Sequence, residues 1–237
     1  MVLTDVQRAR RDPALVVLEG FHALKHALRF GGEILGAWTA DPAGLEALRD
    51  RLAQDLPPLP ADPVTEEELA RVVPRAQVVA VARRPRQPDP RTLLARREPA
   101  PVVLLEDPRH LGNLGACVRV AAAAGAAGVL TTGRQDPWHP DALRGSAGLH
   151  FALPVARTRV VETGDRPLIA LDPDGQPLDS VDPRAILAFG TERDGLSDEL
   201  LARADQRLAL PMRPGVSSLN LATAVAAVLY SVRGVAP

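Results

Sequence analysis

Val102-Val-Leu-Leu-Glu-Asp-Pro-Arg-His-Leu-Gly-Asn113-Leu-Gly-Ala-Cys-Val-Arg119-Val-Ala-Ala-Ala-Ala-Gly-Ala-Ala-Gly128-Val-Leu-Thr131 reads as strand, helix and second strand in one unbroken stretch. Val102 to Leu105 and Gly128 to Thr131 are short apolar runs bounded by turn residues, the mark of a buried strand. Between them Leu114 to Ala124 is long enough and apolar enough for a packed helix, with Asn113 placed to cap its start. The pattern continues. Strands are expected at Leu168 to Leu171, Ile186 to Phe189 and Arg207 to Leu210, and helices near Pro140 to Ser146, Asp198 to Ala204 and Asn220 to Arg233. Strands alternating with helices imply an α/β domain with a mostly parallel sheet.

Outward from this core, the first part of the chain repeats the alternation on a smaller scale. Leu15 to Glu19 is strand-like, and Phe21, Leu24, Ala27 and Leu28 fall on one helix face. Ile34 to Thr39 and Gln77 to Ala82 read as strands, with a helix near Leu45 to Leu52 and a capping box Thr65-x-x-Glu68 opening another. Residues 1–84 therefore form a small α/β domain and residues 102–237 a larger one. Between them Pro85, Pro88, Pro90, Pro99 and Pro101 interrupt a segment rich in arginine, which makes residues 85–101 a Pro/Arg-rich linker.

Composition narrows the function classes. A net charge of −1 excludes a coat bound to nucleic acid by bulk charge, so contact with RNA would come from local patches. Every cationic side chain except Lys25 is arginine, which suits bidentate phosphate contacts. The chain opens without a signal-peptide core and carries no span of about 20 apolar residues, so a cytoplasmic protein is expected. The single cysteine, Cys117, excludes an internal disulfide and sits on an apolar helix face as a small filler. His22 and His26 are four apart on a helix but lack a third ligand at a recognisable spacing, so no metal is expected.

Three segments carry chemistry: Asn113-Leu-Gly-Ala-Cys-Val-Arg119, Gly190-Thr-Glu192-Arg-Asp-Gly195, and Leu210-Pro-Met212 leading to Ser217-Ser-Leu-Asn220. Each sets a glycine or polar cluster directly after an apolar run, where open α/β sheets gather ligands at strand carboxyl ends. Gly190 lets the backbone approach a ligand, with the Glu192 carboxylate nearby. The helix start at Ser217 to Asn220 offers amides to a carboxylate or phosphate. A dinucleotide enzyme is a rival because Gly112 and Gly115 follow a strand, with Asp136 at a permissible distance for a ribose contact. The run nevertheless lacks the close glycine pair of G-x-G-x-x-G.

In this order, over Val102 to Arg233, the three segments resemble the SpoU (TrmH-like) family of the SPOUT superfamily, RNA 2′-O-ribose methyltransferases that use S-adenosylmethionine. Leu18-Glu-Gly-Phe-His22-Ala-Leu-Lys25 resembles the opening of the RNA-binding N-terminal domain of many such enzymes. The resemblance implies a deep trefoil knot in the C-terminal domain, rRNA or tRNA as substrate, and a homodimer through that domain. It also implies a catalytic group of Asn113, Arg119, Glu192, Ser218 and Asn220. Gly190, Leu210 and Leu219 would cradle the methyl donor. Arg144, within Arg144-Gly-Ser146-Ala-Gly148, would contact RNA. Apart from the resemblance, the arginines around the linker, Arg84 and Arg86 among them, form either a basic strip that follows an RNA backbone or a solvated linker.

Two roles for Arg119 stay open: a base that acts when RNA desolvates it, or a fixed cation that positions phosphate and stabilises charge on the 2′ oxygen. A guanidinium effectively never deprotonates in proteins, which favours the second. A non-catalytic RNA-binding protein that retains the fold is the alternative function, and the joint presence of Asn113, Arg119, Glu192, Ser218 and Asn220 counts against it. For the dimer, Ala121 to Ala124 and Ala222 to Leu229 supply small and aliphatic side chains in excess of what one sheet surface covers.

Overall fold

The computed structural model describes residues 2–74, 76–191, 194–216 and 218–232. They divide into two compact units. One comprises the chain up to Arg86 together with Trp138–Ala152, and the other Gln87–Pro137 together with the chain from Leu153 onward.

The first unit contains α1 (Val2–Ala9), β1 (Leu15–Glu19), α2 (Phe21–Arg29), β2 (Ile34–Thr39), α3 (Pro42–Leu52), β3 (Asp62–Pro63), α4 (Glu66–Val72) and β4 (Val78–Arg83). Its sheet runs β1-β4-β2-β3, with β4 antiparallel to β1 and β2 and only the short β3 parallel to its neighbour. Of the expected helix face Phe21, Leu24 and Ala27 are buried and Leu28 is half-buried, and Ala23 and Lys25 are buried beside them. The capping box also holds, since Thr65 accepts from the Glu68 amide while Glu68 accepts from that of Thr65. Val6, Val17, Trp38, Leu69, Val79 and Val81 close one face of the sheet.

The second unit is built from α5 (Pro90–Leu94), β5 (Val102–Leu105), α6 (Leu111–Ala123) and β6 (Gly128–Thr131). After β6 the chain leaves to give α7 (Pro140–Gly145) to the first unit. It returns as β7 (Val155–Arg157), β8 (Leu168–Pro177), β9 (Ile186–Phe189), α8 (Asp198–Arg203), β10 (Gln206–Ala209) and α9 (Leu221–Val232). The sheet order is β10-β8-β9-β5-β6-β7, and every neighbouring pair is parallel. β5, β6 and β9 are buried along their whole length, as central parallel strands are, whereas β10 at the edge and the outer half of β8 are partly exposed. Cys117, on α6, is fully buried.

Three readings of the sequence are corrected here. The segment expected as a linker carries α5, capped by Asp89 with Pro90 in its first turn, and Leu93 and Leu94 are core residues of the second unit. Buried Arg166 holds the segment there by donating to the carbonyls of Leu94 (2.9 Å), Arg96 (2.8 Å), Ala100 (2.9 Å) and Arg184 (2.7 Å). The first helix of the unit starts at Leu111, not Leu114, so Asn113 lies inside its first turn and His110 stands at the cap without a side-chain bond. Finally, the strand begun at Leu168 runs on to Pro177, but its pairing with β9 stops at Leu171, and it steps out of register with β10 between Arg207 and Leu208.

Trp138–Ala152, placed by the sequence reading in the larger domain, packs in the first unit. Arg144 pairs with Glu19 at 3.0 Å and with Asp141 at 2.5 Å. His26 Nδ1 meets the Ala147 carbonyl at 2.7 Å, and Arg84 lies over the Trp138 ring at 5.7 Å. Gly148, at φ 78°, has its α-carbon pressed so closely to Ala23 that a Cβ would stand 2.5 Å from the Ala23 carbonyl oxygen. Within the segment Ser146 Oγ bonds the Leu143 carbonyl (3.0 Å) and His150 Nδ1 (2.7 Å), all buried.

Candidate active site

Parallel strands align their carboxyl ends, and here the alignment is literal. Leu171, Phe189 and Leu105 stand opposite one another across β8, β9 and β5. The residues that follow each strand are thereby delivered to one edge: Asp172 after the paired part of β8, Gly190 after β9, and Glu106 after β5. Beyond β8, Leu210 follows β10. Such an edge is where open α/β sheets bind ligands.

A cavity of about 360 Å³ opens along this edge. Gly190, Leu210 and Leu219, the three residues expected to cradle a methyl donor, all line it, and so does Ser218. Leu171, Phe189, Leu208 and Leu221 give it apolar walls, while Thr191, Ser218 and Asp172 supply polar groups. Its volume falls in the range of pockets for small-molecule ligands, about 300–1,000 Å³. Apolar walls with a few fixed polar groups match S-adenosylmethionine, which presents the faces of a purine and the hydroxyls of a ribose.

The loop after β9 is tightly made. Thr191 and Gly195 exchange backbone hydrogen bonds at 2.9 and 3.2 Å, and Thr191 Oγ1 accepts from the Asp194 amide at 2.9 Å. Gly190 is required by packing: a Cβ there would lie 2.0 Å from the Gly195 carbonyl carbon. Glu106 braces the far side of the loop, accepting from the Ser197 amide at 2.7 Å and its hydroxyl at 2.6 Å. Ser197 in turn caps α8. Arg109 bonds Asp194 at 3.0 Å, tying the loop after β5 to the loop after β9. Glu192 and Ser217 lie outside the described residues.

Asn113 and Asn220 meet although far apart in sequence. The Asn220 amide group donates to Asn113 Oδ1 at 3.2 Å, and its own carbonyl oxygen accepts from the Ala222 amide at 3.0 Å, capping α9. The cap fixes which way the amide faces. Arg119 sits six residues beyond Asn113 on the same helix, about 9 Å along its axis. It is exposed and makes no hydrogen bond or ion pair with the described residues. Among the proposed RNA contacts, Arg144 and Arg84 are engaged within the first unit as given above, and Arg86 is exposed. His110 stands at the start of α6 and His139 at the start of α7. The sequence reading missed Asp172, whose Asp-Pro-Asp-Gly context looks like an ordinary turn.

Residues 100–230 match the model of the SpoU rRNA Methylase family. The chain belongs to that family. It is 33% identical to an uncharacterized tRNA/rRNA methyltransferase of Synechocystis sp., over 95% of this chain and 86% of that one. It is 29% identical to the 23S rRNA (guanosine(2553)-2′-O)-methyltransferase RlmP of Bacillus subtilis, over 98% and 92%. Among solved structures, the AdoMet-bound rRNA methyltransferase from Sinorhizobium meliloti is 25% identical, with a TM-score of 0.74 over 98% of this chain and 94% of that one. As a SpoU protein the chain is an RNA methyltransferase, and S-adenosylmethionine is its methyl donor. No helix among the described residues is long and apolar enough to cross a membrane.

Proposed function

We infer that this chain methylates the 2′-hydroxyl of a ribose in rRNA or tRNA. The observation that carries the reading is the meeting of three distant segments at one sheet edge. Gly190, Leu210 and Leu219 line one cavity, and Asn220, directly after Leu219, is bonded to Asn113. When bound there, S-adenosylmethionine supplies an electrophilic methyl group on a sulfonium.

The chain's own residues then have separable tasks. Gly190, Leu210 and Leu219 hold the donor. Asn113 and Asn220, oriented by the α9 cap, and Ser218 present hydrogen-bonding groups where the ribose enters, with Glu192 ordering the site. Arg119 acts as a fixed cation that positions phosphate and stabilises negative charge on the attacking oxygen. Arg84, Arg86 and Arg144 give the first unit its RNA contacts, and domain 1–84 selects the RNA by shape. The reading also includes a cytoplasmic homodimer through α6 and α9, supported by Tyr230, which α9 leaves 53% exposed. It includes a trefoil knot in the second unit, supported by the return of α9 to α6 after β10 has joined the opposite edge of the sheet.

The test is transfer of labelled methyl to total rRNA and tRNA, with mapping of 2′-O-methyl positions by resistance to alkaline cleavage. Wild-type protein is expected to protect a defined position. Arg119→Ala is expected to lower kcat by about 10²–10³-fold, the magnitude found when a transition-state donor is removed, with affinity for S-adenosylhomocysteine unchanged. Arg119→Lys is expected to fail at every pH, because an ammonium lacks the bidentate fork. Activity in that variant with a shifted pH profile would make Arg119 the base instead. Light scattering at low micromolar concentration reads the dimer, and an active monomer would remove it from the reading.

A further inference from the structure

The edge described above has a polar group in its middle that none of the site's roles uses. Asp172 lies in β8 just past its pairing with β9, between the strands that deliver Leu210 and Gly190. It is the only ionisable side chain lining the cavity among the described residues. Its orientation is set on both oxygens. Oδ1 accepts from the Asp174 amide at 3.0 Å. Oδ2 accepts from Arg207, from Nε at 3.1 Å and also from a terminal guanidinium nitrogen. The carboxylate side chain is only 12% exposed.

A carboxylate has about four acceptor positions on two oxygens. Arg207 occupies two on Oδ2 and Asp174 one on Oδ1, which leaves one, on Oδ1. A donor from a ligand fills it. The charge is already balanced by the guanidinium, so a neutral hydroxyl suits the position better than a second cation. Its place fits as well. The methyl donor is ordered purine, ribose, methionine, so the group from the middle strand faces the middle of the ligand.

We propose that Asp172, clamped by Arg207, accepts a hydrogen bond from a ribose hydroxyl of the methyl donor and sets how adenosine lies along the sheet edge. The proposal rests on the donor-site reading above. Because its residues act in binding, calorimetry tests it without reference to turnover. The ligands are S-adenosylhomocysteine, 5′-methylthioadenosine, and the 2′-deoxy and 3′-deoxy forms of the latter. Methylthioadenosine keeps the ribose but lacks the ammonium and carboxylate.

Asp172→Ala is expected to weaken S-adenosylhomocysteine and methylthioadenosine alike, by about 10- to 100-fold, as for loss of a hydrogen bond to a charged group. One of the two deoxy analogues should bind the wild-type protein weakly and lose nothing further in the variant. Asp172→Asn, nearly the same shape and still carrying a carbonyl oxygen, should lose less. It carries the test if the alanine variant loses its cooperative thermal transition. Unchanged methylthioadenosine affinity in both variants overturns the proposal. A loss confined to S-adenosylhomocysteine also overturns it and assigns Asp172 to the ammonium. A wild-type protein that binds none of these ligands overturns the donor-site reading itself.

Discussion

The two sheets of this chain use the same elements and reach opposite results. In the four-stranded sheet the central β4 runs against both β1 and β2, so the carboxyl end of β1 at Glu19 lies beside the start of β4 at Val79. The carboxyl end of β4 lies opposite those of its neighbours, so residues that follow strands are dispersed to both edges. In the six-stranded sheet every strand points the same way, and Asp172, Gly190, Leu210 and the first turn of α6 bearing Asn113 converge on one edge. Strand direction, more than the residues themselves, decides which unit grows a reaction site. The mixed sheet is left to present side chains from its surface, the task that the proposed function gives it in binding RNA.

Glycine placed after a strand separates the two cases most sharply. Gly190→Ala drives a Cβ into the Gly195 backbone, so a loss of about 3 kcal/mol or more is expected, together with loss of S-adenosylhomocysteine binding. Gly20 follows β1 at φ 91° and ψ 163° with open space around its missing Cβ, so Gly20→Ala costs only the backbone strain, about 1–3 kcal/mol, and leaves donor binding intact. Thermal unfolding and calorimetry on both variants would break the comparison if the two behaved alike. Next in size, Arg166→Met leaves four carbonyls without their donor, and a cost of about 3 kcal/mol is expected. Hydrogen exchange should show that loss in α5 and around Ala100, in the second unit alone. Uniform loosening of both units would show that they unfold as one.

The smallest effect belongs to the first unit. Burial pulls the His26 pKa below its ordinary 6.5, against the Ala147 carbonyl bond that raises it. The folded state therefore binds its proton less readily than the unfolded chain, so the stabilisation is complete above pH 6.5 and is lost as pH falls below it. Acidification is expected to speed exchange in α7 and in the turn Leu149–Phe151, and His26→Gln to flatten that dependence. A pH profile identical in the variant would remove His26 from the account.

Much of this was legible in the sequence because parallel strands are buried on both faces and therefore written as unbroken apolar runs. Val102 to Leu105, Gly128 to Thr131 and Ile186 to Phe189 have the bounds their composition indicates. The parts that stayed hidden have local reasons. Val155–Arg157 is too short to show a period. The prolines around α5 masked the cap Asp89 and the first-turn Pro90, which are themselves a start signal. Asn113 looked like a cap because His110, which holds that place, bonds nothing through its side chain. The role of Asp172 depends on a register step opposite Arg207, and no pattern in the residues marks such a step. Nor does periodicity say which core a helix joins, which is how α7 escaped.

That last excursion bears on how the protein is made. Most of the first unit precedes the second in the chain, yet it lacks Trp138, the Ala147 carbonyl that His26 meets and the glycine that seats against Ala23 until the chain has been synthesised through Ala152. At ~5–20 residues per second, it waits on the order of seconds with that face uncovered. The strands β5 and β6 emerge in the interval, so on the ribosome the second unit begins before the first is finished.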